Sequence, residues 1–366
     1  MWIVIVTGIG CLFGFLLFRK NALPSPGGHE PDGRNVSVIV PARNEEENLP
    51  HLLESLKAQT VQGFEVIVVN DFSEDRTREI AERYGAKVID NSVLPDGWTG
   101  KNWAVWNGYA RATGDVFVFL DADIRLAPTA LASLLLARER SNGVVSVVPY
   151  HRTEKLYEKL ALVFNMLGVF AFTSIFERSN PRKGLYGSCI VALREDYEKI
   201  NGHESVKSEV LDDLFLGSKF AEAGIPVVNS IGCGSVEFRM YPQGVRSEIE
   251  GFSKGAVLST STLSPRTIAS VAAWLVGLLI SESVFVFAWL RPEWAWPLAA
   301  GYALYTAQLL VLMRYVGSFG LVVPLLHPVA SLFFLGVMAY SLYQVAVVGH
   351  VRWKGRNVRV GGAQDR

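Results

Sequence analysis

Net charge is the first thing this 366-residue chain lacks: 35 Lys and Arg face 35 Asp and Glu. A balanced chain presents no overall basic field, so nucleic acid is not expected as a partner. Cysteine is scarce as well. Cys11, Cys189 and Cys233 are far apart, which fits neither a disulfide framework nor a zinc site and points to a reducing compartment. No strand-like run leads into Gly-x-Gly-x-x-Gly or Gly-x-x-x-x-Gly-Lys, so neither a dinucleotide fold nor a P-loop is expected. There is no internal repeat and no low-complexity tract. Charge of either sign is thin, at 19% of residues against 50% apolar, and mean hydropathy is +0.24. That is too apolar for an ordinary soluble protein.

The apolar excess is concentrated. Residues 2–18 carry no charge and then meet Arg19 and Lys20. A cleaved signal peptide has its positive charge before the apolar core, so this order reads as an uncleaved anchor that leaves the following domain in the cytoplasm. Residues 268–290, 294–313 and 321–349 are three further apolar stretches, containing Glu282 and His327. Each is long enough to cross a hydrocarbon core of roughly 30 Å. The tail RWKGRNVR (352–359) is basic and is expected on the cytoplasmic side too. Three full C-terminal crossings would put it outside. One stretch is therefore expected to be interfacial or re-entrant, or a fifth span exists. Residues 160–176 form one more apolar segment, expected as an interfacial helix or membrane-facing wall. These features predict an anchor over 1–20, a Pro/Gly-rich linker over 21–34, a cytoplasmic catalytic domain over 35–258, membrane or interfacial helices over 266–350 and a basic tail over 351–366. The protein is expected to be a multi-pass protein of the cell membrane.

Between anchor and C-terminal helices, strand and helix patterns alternate. VSVIVPA (36–42), FEVIVVND (64–71), AKVID (86–90) and DVFVFL (115–120) read as strands; 45–59, 75–85 and 101–114 read as helices, the second closed by Gly85. Near-continuous apolar strands joined by helical crossovers predict an α/β fold with a mostly parallel, Rossmann-like sheet. In such sheets ligands sit beyond the carboxyl ends of the strands. There stand Pro41, Ala42, Arg43 and Glu45 after the first strand, Asp71 after the second, and Asp121 and Asp123 after the fourth. The last two are hard oxygen ligands that suit Mg²⁺ or Mn²⁺ sharing its remaining positions with a diphosphate. On these residues alone, a solvated turn whose acids cap the next helix is the alternative.

VIVPARNEEENL, VVNDFSEDRT, GKNWAVWNGYARATGD and VFLDAD, in this order and spacing, resemble the family 2 glycosyltransferases of GT-A fold. The resemblance covers about residues 36–255. It implies that Pro41, Ala42, Arg43, Glu45 and Asp71 hold the nucleotide and that Asp121 and Asp123 hold Mn²⁺ or Mg²⁺. Lys101 lies near the nucleotide or is a solvated lysine at a helix start. LYGSCIVALRED (185–196) is similar to the small-residue segment beneath the donor sugar, with Gly187 and Ser188 close to the site. SEVLDDLFLG (208–217) is similar to the helix that opens on an acidic pair; the family has Glu-Asp where this chain has Asp212-Asp213, and the second acid, Asp213, takes the part of general base. Asp212 falls on the acceptor side. The family's Gln-x-x-Arg-Trp is reduced to Gln243, Arg246 and Ser247. Loss of that Trp argues for a single transfer to a lipid instead of growth of a polysaccharide.

LPDGWTGKNWA, LDDLFLG, GFSKG and the terminal WKGR resemble a narrower group, the membrane glycosyltransferases of carotenoid, hopanoid and ceramide type. The implied reaction is inverting, metal-dependent transfer of one hexose from a UDP-sugar, glucose first among candidates, to a hydrophobic lipid at the membrane. Trp98, Trp103 and Trp106 line the substrate path or simply pack. His151 and His203 receive no role. A polyprenyl-phosphate glycosyltransferase is the alternative enzyme, favoured if Arg178, Arg182, Lys183 and Arg194 gather at the acceptor side. An inactive sugar-nucleotide-binding membrane protein is the alternative outside enzymes.

Overall fold

The computed structural model describes residues 2–28, 35–255, 261–348, 350–353 and 356–359. Residues 29–34 of the expected linker, Lys354 and Gly355 of the basic tail and residues 360–366 lie outside it. The chain forms two compact units, each made of separate segments: one of residues 21–150 and 181–239, the other of residues 1–20, 151–180 and 240–366. The expected domain boundaries keep 151–180 and 240–258 with the sheet; by contact these segments group with the helices.

The first unit is built on a seven-stranded sheet. β1 (Val36–Ala42), β2 (Glu65–Asn70), β3 (Lys87–Asp90) and β4 (Val116–Leu120) alternate with α2 (Leu49–Lys57), α3 (Thr77–Arg83) and α4 (Gly100–Arg111). After β5 (Ile124–Leu126) and α5 (Ala130–Ser141) come β6 (Val144–Val148), the two-residue β7 (Tyr150–His151), β8 (Cys189–Leu193), α7 (Arg194–Lys199), α8 (Asp212–Glu222), β9 (Val227–Ile231) and β10 (Val236–Phe238). The main sheet runs β3-β2-β1-β4-β8-β6-β9. β1 to β4 are mutually parallel, β8 is antiparallel to both its neighbours, and β9 is parallel to β6. Val38, Ile39, Val40, Ile67, Val68, Phe117 and Val118 are fully buried, as an apolar run covered on both faces requires. Gly108 lets α4 lie close on the sheet: a Cβ there would stand 2.5 Å from Ile39 Cγ2. Gly85, at φ +79°, ends α3 in the left-handed conformation that a helix C-terminus favours.

Chain order reverses between β1 and β4, the switch point where such sheets open a crevice. The parallel register sets Ile39 opposite Phe119, so two residues on Pro41 is level with Asp121. On the other side Ala42 is opposite Asn70. β4 pairs through Leu120 with Cys189, which brings Ser188 and Gly187 alongside.

The second unit is helical: α1 (Trp2–Leu17), α6 (Leu162–Thr173), α9 (Val245–Gly255), α10 (Pro265–Glu282), α11 (Val284–Leu290), α12 (Pro292–Val316), α13 (Val322–Leu325) and α14 (His327–Tyr343), with a hairpin of β11 (His350–Trp353) and β12 (Arg356–Arg359). Small residues let α1 approach its neighbours, as in membrane helix pairs. Cβ atoms added at Gly10 and Gly14 would run into Tyr305, Ala273, Gln308 and Trp274. Gln308 donates to Cys11 O (2.6 Å) and accepts from Trp274 Nε1 (2.8 Å). Thus α1, α10 and α12 are joined by hydrogen bonds as well as by shape.

By length and composition α12 and α14 can each cross a membrane. α10 and α11 qualify only as a pair bent by 51°, and α1 is apolar but shorter. At the break in the first C-terminal stretch Ser283 Oγ donates back to Ile280 O at 2.7 Å. The two ionisable residues of these stretches meet each other, with His327 Nδ1 2.6 Å from Glu282 Oε1 and Ser331 donating to the same oxygen.

Candidate active site

Several chain segments converge at the switch point of the sheet. Pro41, Lys101, Asp121, Gly187, His203 and Asp212 line one cleft, floored by Val105, Phe119, Leu120 and Ile190. Asp121 stands at the end of β4, its N–H donating to Ser188 O at 3.0 Å. Lys101 reaches it from the first turn of α4, Nζ to Oδ1 2.7 Å. Thr99 caps that helix by accepting from Asn102 N–H (3.3 Å). Burial alone lowers the Lys101 pKa, but the charges of Asp121, Asp212 and Asp213 outweigh it and hold the ammonium above its ordinary value.

Asp212 and Asp213 open α8, where carboxylates favour the helix N-terminus. Asp213 Oδ2 accepts from Gly187 N–H at 2.8 Å, and Asp213 O from Leu185 N–H at 3.2 Å. A Cβ on Gly187 would press on that carboxylate at 3.0 Å, so the small residue keeps the approach open. Asp212 is turned instead to His203, Oδ2 to Nε2 3.6 Å. His203 is buried, and its Nδ1 lies 2.8 Å from the Tyr197 hydroxyl, which also accepts from His203 N–H. Burial raises the Tyr197 pKa far above its ordinary value, so the phenol keeps its proton.

A second corner forms beside the cleft at the ends of β1 and β2. Asp71 N–H donates to Ala42 O (2.8 Å), and Arg43 donates to Asp71 O (3.2 Å). Asn91 donates to Asp71 Oδ1 (3.2 Å) and accepts from Asn107 (2.8 Å). Phe72 follows at φ +56°, a conformation that bulky residues avoid and that accumulates at functional sites.

Within the sheet unit the expected site residues are thus largely brought together, Glu45 being the exception. Glu45 belongs to the turn before α2, accepting from Asn48 Nδ2 (2.9 Å) and donating its N–H to Thr77 (2.8 Å). Gln243 and Arg246 fall in the helical unit, where Arg246 pairs with Glu250 (3.1 Å) and Ser247 hydrogen-bonds Gln243 (3.4 Å). Helical spacing of four residues accounts for the first contact; Gln243 lies in the turn before α9. Sequence reasoning names His203 without giving it a role and passes over Tyr197, Asn91 and Asn102. Asn102 is buried and donates to the carbonyls of Val206, Lys207 and Glu209, fixing the loop that leads into α8. The Asn beside Lys101 in Gly-Lys-Asn was the available signal. Tyr186 was also missed; burial first, then the charges of Asp123, Asp213 and Asp121, raise its pKa far above the ordinary value.

The donor chemistry at Asp121 and Asp123 fits a Mg²⁺ or Mn²⁺ ion shared with a substrate. Both side chains offer hard oxygens. Among the described residues no group of three or more His, Cys, Asp or Glu is placed to hold a metal, so protein ligands alone do not complete a coordination shell there.

A Rossmann-like sheet with acids and a lysine gathered at its switch point defines the GT-A class of glycosyltransferases. The profile described as "Glycosyl transferase family 2" matches residues 37–200, and the chain belongs to the family 2 glycosyltransferases. It is 33% identical to a 4,4'-diaponeurosporenoate glycosyltransferase of Staphylococcus haemolyticus (strain JCSC1435), covering 97% of each chain. It is 30% identical to the protein of the same name from Staphylococcus aureus (strain USA300), over 99% of this chain and 98% of the relative. Among solved structures, a mannosyltransferase of Pyrobaculum calidifontis in complex with GDP-Man and Mn²⁺ shares the fold at TM-score 0.51 and 18% identity, over 94% of this chain and 96% of the other.

Proposed function

We propose that the protein transfers a single hexose, glucose from UDP-glucose, to a hydrophobic lipid acceptor of carotenoid type at the membrane, with inversion at the anomeric carbon. The observation that carries this reading is the cleft that joins Lys101, Asp121, Gly187 and Asp212 at the sheet's switch point, in a chain similar along almost its whole length to carotenoid-acid glycosyltransferases. The apolar helices α12 and α14 supply a membrane-facing surface next in sequence.

In this reading the corner of Ala42, Arg43 and Asp71 holds the nucleoside, and Lys101 meets the diphosphate. Asp121 and Asp123 would hold Mn²⁺ or Mg²⁺, which when bound would supply positive charge to offset that of a departing diphosphate. The Pyrobaculum neighbour's complex with GDP-Man and Mn²⁺ is in keeping with this assignment. Asp213 takes the proton of a hydroxyl acceptor, or merely faces an acceptor that is already ionised. An ordinary carboxylate is a weak base, so it works here only because the proton leaves late, as the glycosidic bond forms. Gly187 keeps Asp213 in place through its N–H, and the catalytic unit faces the cytoplasm.

The polyprenyl-phosphate alternative needs cations at the acceptor side. Two of its four candidates are engaged elsewhere: Lys183 donates to Val227 O, and Arg194 to Ala112 O and Gly114 O. The test uses purified protein in detergent with UDP-glucose, Mn²⁺ and a total lipid extract, reading UDP release and lipid masses, with Asp121→Ala in parallel. A lipid heavier by one hexose, lost in the variant and with chelator, is expected. UDP binding without any glucosylated lipid overturns the donor or acceptor assignment.

A further inference from the structure

Lys101 occupies Asp121 at contact distance, Nζ to Oδ1 2.7 Å. This has a consequence for any divalent ion that uses the same oxygen. Resting on the reading of Asp121 and Asp123 as metal donors, we propose that Lys101 is a built-in rival of the metal. It holds Asp121 while no nucleotide is present and gives it up when a diphosphate arrives, so metal and nucleotide are taken up together.

Three observations converge on this coupling. The Asp121 oxygen nearest Lys101 already faces an ammonium, and a divalent ion on the same carboxylate would meet that like charge at close range. Among the described residues no third acid, His or Cys completes a metal group, whereas Mg²⁺ and Mn²⁺ take about six oxygens; substrate oxygens must supply the balance. The backbone from which Lys101 reaches is fixed, by the Thr99 cap and by Asn102's bonds to the loop before α8. Only the flexible four-carbon stem has to move. A diphosphate satisfies both needs, giving the ammonium a new anionic partner and the metal its missing oxygens. Such coupling is reciprocal, so the metal tightens the nucleotide as much as the nucleotide tightens the metal.

The test measures Mn²⁺ binding to the full chain in detergent from the spectrum of free aqueous Mn²⁺, with and without UDP. UDP affinity in chelator is measured alongside. Wild type is expected to bind Mn²⁺ about tenfold or more tightly with UDP than without, the scale on which one adjacent charge moves a carboxylate's affinity for a proton. Lys101→Met should bind Mn²⁺ alone about tenfold more tightly than wild type, bind UDP more weakly in chelator, and lose most of the coupling. Lys101→Arg keeps the charge and should follow wild type; Lys101→Gln replaces the Met variant if that does not fold. Equal Mn²⁺ affinity of nucleotide-free wild type and Lys101→Met, with UDP tightening both, overturns the rivalry and leaves the metal reading standing. No Mn²⁺ binding to wild type even with UDP overturns both.

Discussion

Asp212 and Asp213 are adjacent in the chain and differ in what surrounds them. Asp213 is held by the Gly187 amide; Asp212 faces His203, itself held by Tyr197. The sequence displays the acidic pair but not the difference, because the Tyr and His that create it are single residues without a pattern. A base matters only when there is a proton to remove. Asp213→Asn should therefore slow transfer to a hydroxyl acceptor by about 10²- to 10⁴-fold. Transfer to a carboxylate acceptor, ionised at neutral pH, should suffer far less. Initial rates with the two acceptors check this, and equal losses with UDP binding intact would count against it. His203→Gln removes the group that fixes Asp212's orientation. We expect kcat to fall about tenfold with little change in UDP affinity, in line with the cost of small misplacements. A merely structural histidine would instead lower the unfolding temperature and leave kcat alone.

At the scale of elements, the apolar periodicity located β1 to β4 to within a residue or so. The runs are continuous, and burial on both faces demands nothing else. Helix starts were less legible. The pattern suggested α2 from 45, but Glu45 O accepts from the N–H groups of Asn48 and Leu49, making a separate turn before the helix. α9 shows what burial adds to a sequence. Its Glu248 is 1% exposed, and its pKa is pushed up to about 8, by burial first and then by the charge of Glu158. In the unfolded chain the same carboxyl titrates near 4.5. Between these values the native state keeps a proton that the unfolded state has lost, so this residue makes stability fall as pH rises from about 4.5 to about 8, and level off above. Glu248→Gln, which carries no such proton, should remove that slope. Thermal unfolding in detergent from about pH 5 to about pH 9 measures it; identical slopes in both proteins would refute the assignment.

For the whole molecule, the part of the candidate site at Pro41, Asp71 and Asp121 could be read from the sequence because these residues sit at the ends of recognisable strands. The partition into units could not. Residues 151–180 look like an excursion within the catalytic region, and 243–246 like its continuation. Only contacts reveal that both group with the helices. Both units are therefore discontinuous, and α1 is completed by Trp274, Tyr305 and Gln308, which emerge almost a whole chain length later. This sets an order for biosynthesis. During translation α1 leaves the ribosome with its glycine face unmatched, and it stays so until α10 and then α12 are made. The sheet, too, waits for β9 before it closes. Chains stopped after residue 255, before α10, should leave residues 2–20 open to protease in membranes, and chains continued to 316 should protect them; equal protection would show that α1 needs no late partner. Packing of α1 therefore depends on helices that lie far downstream in the chain.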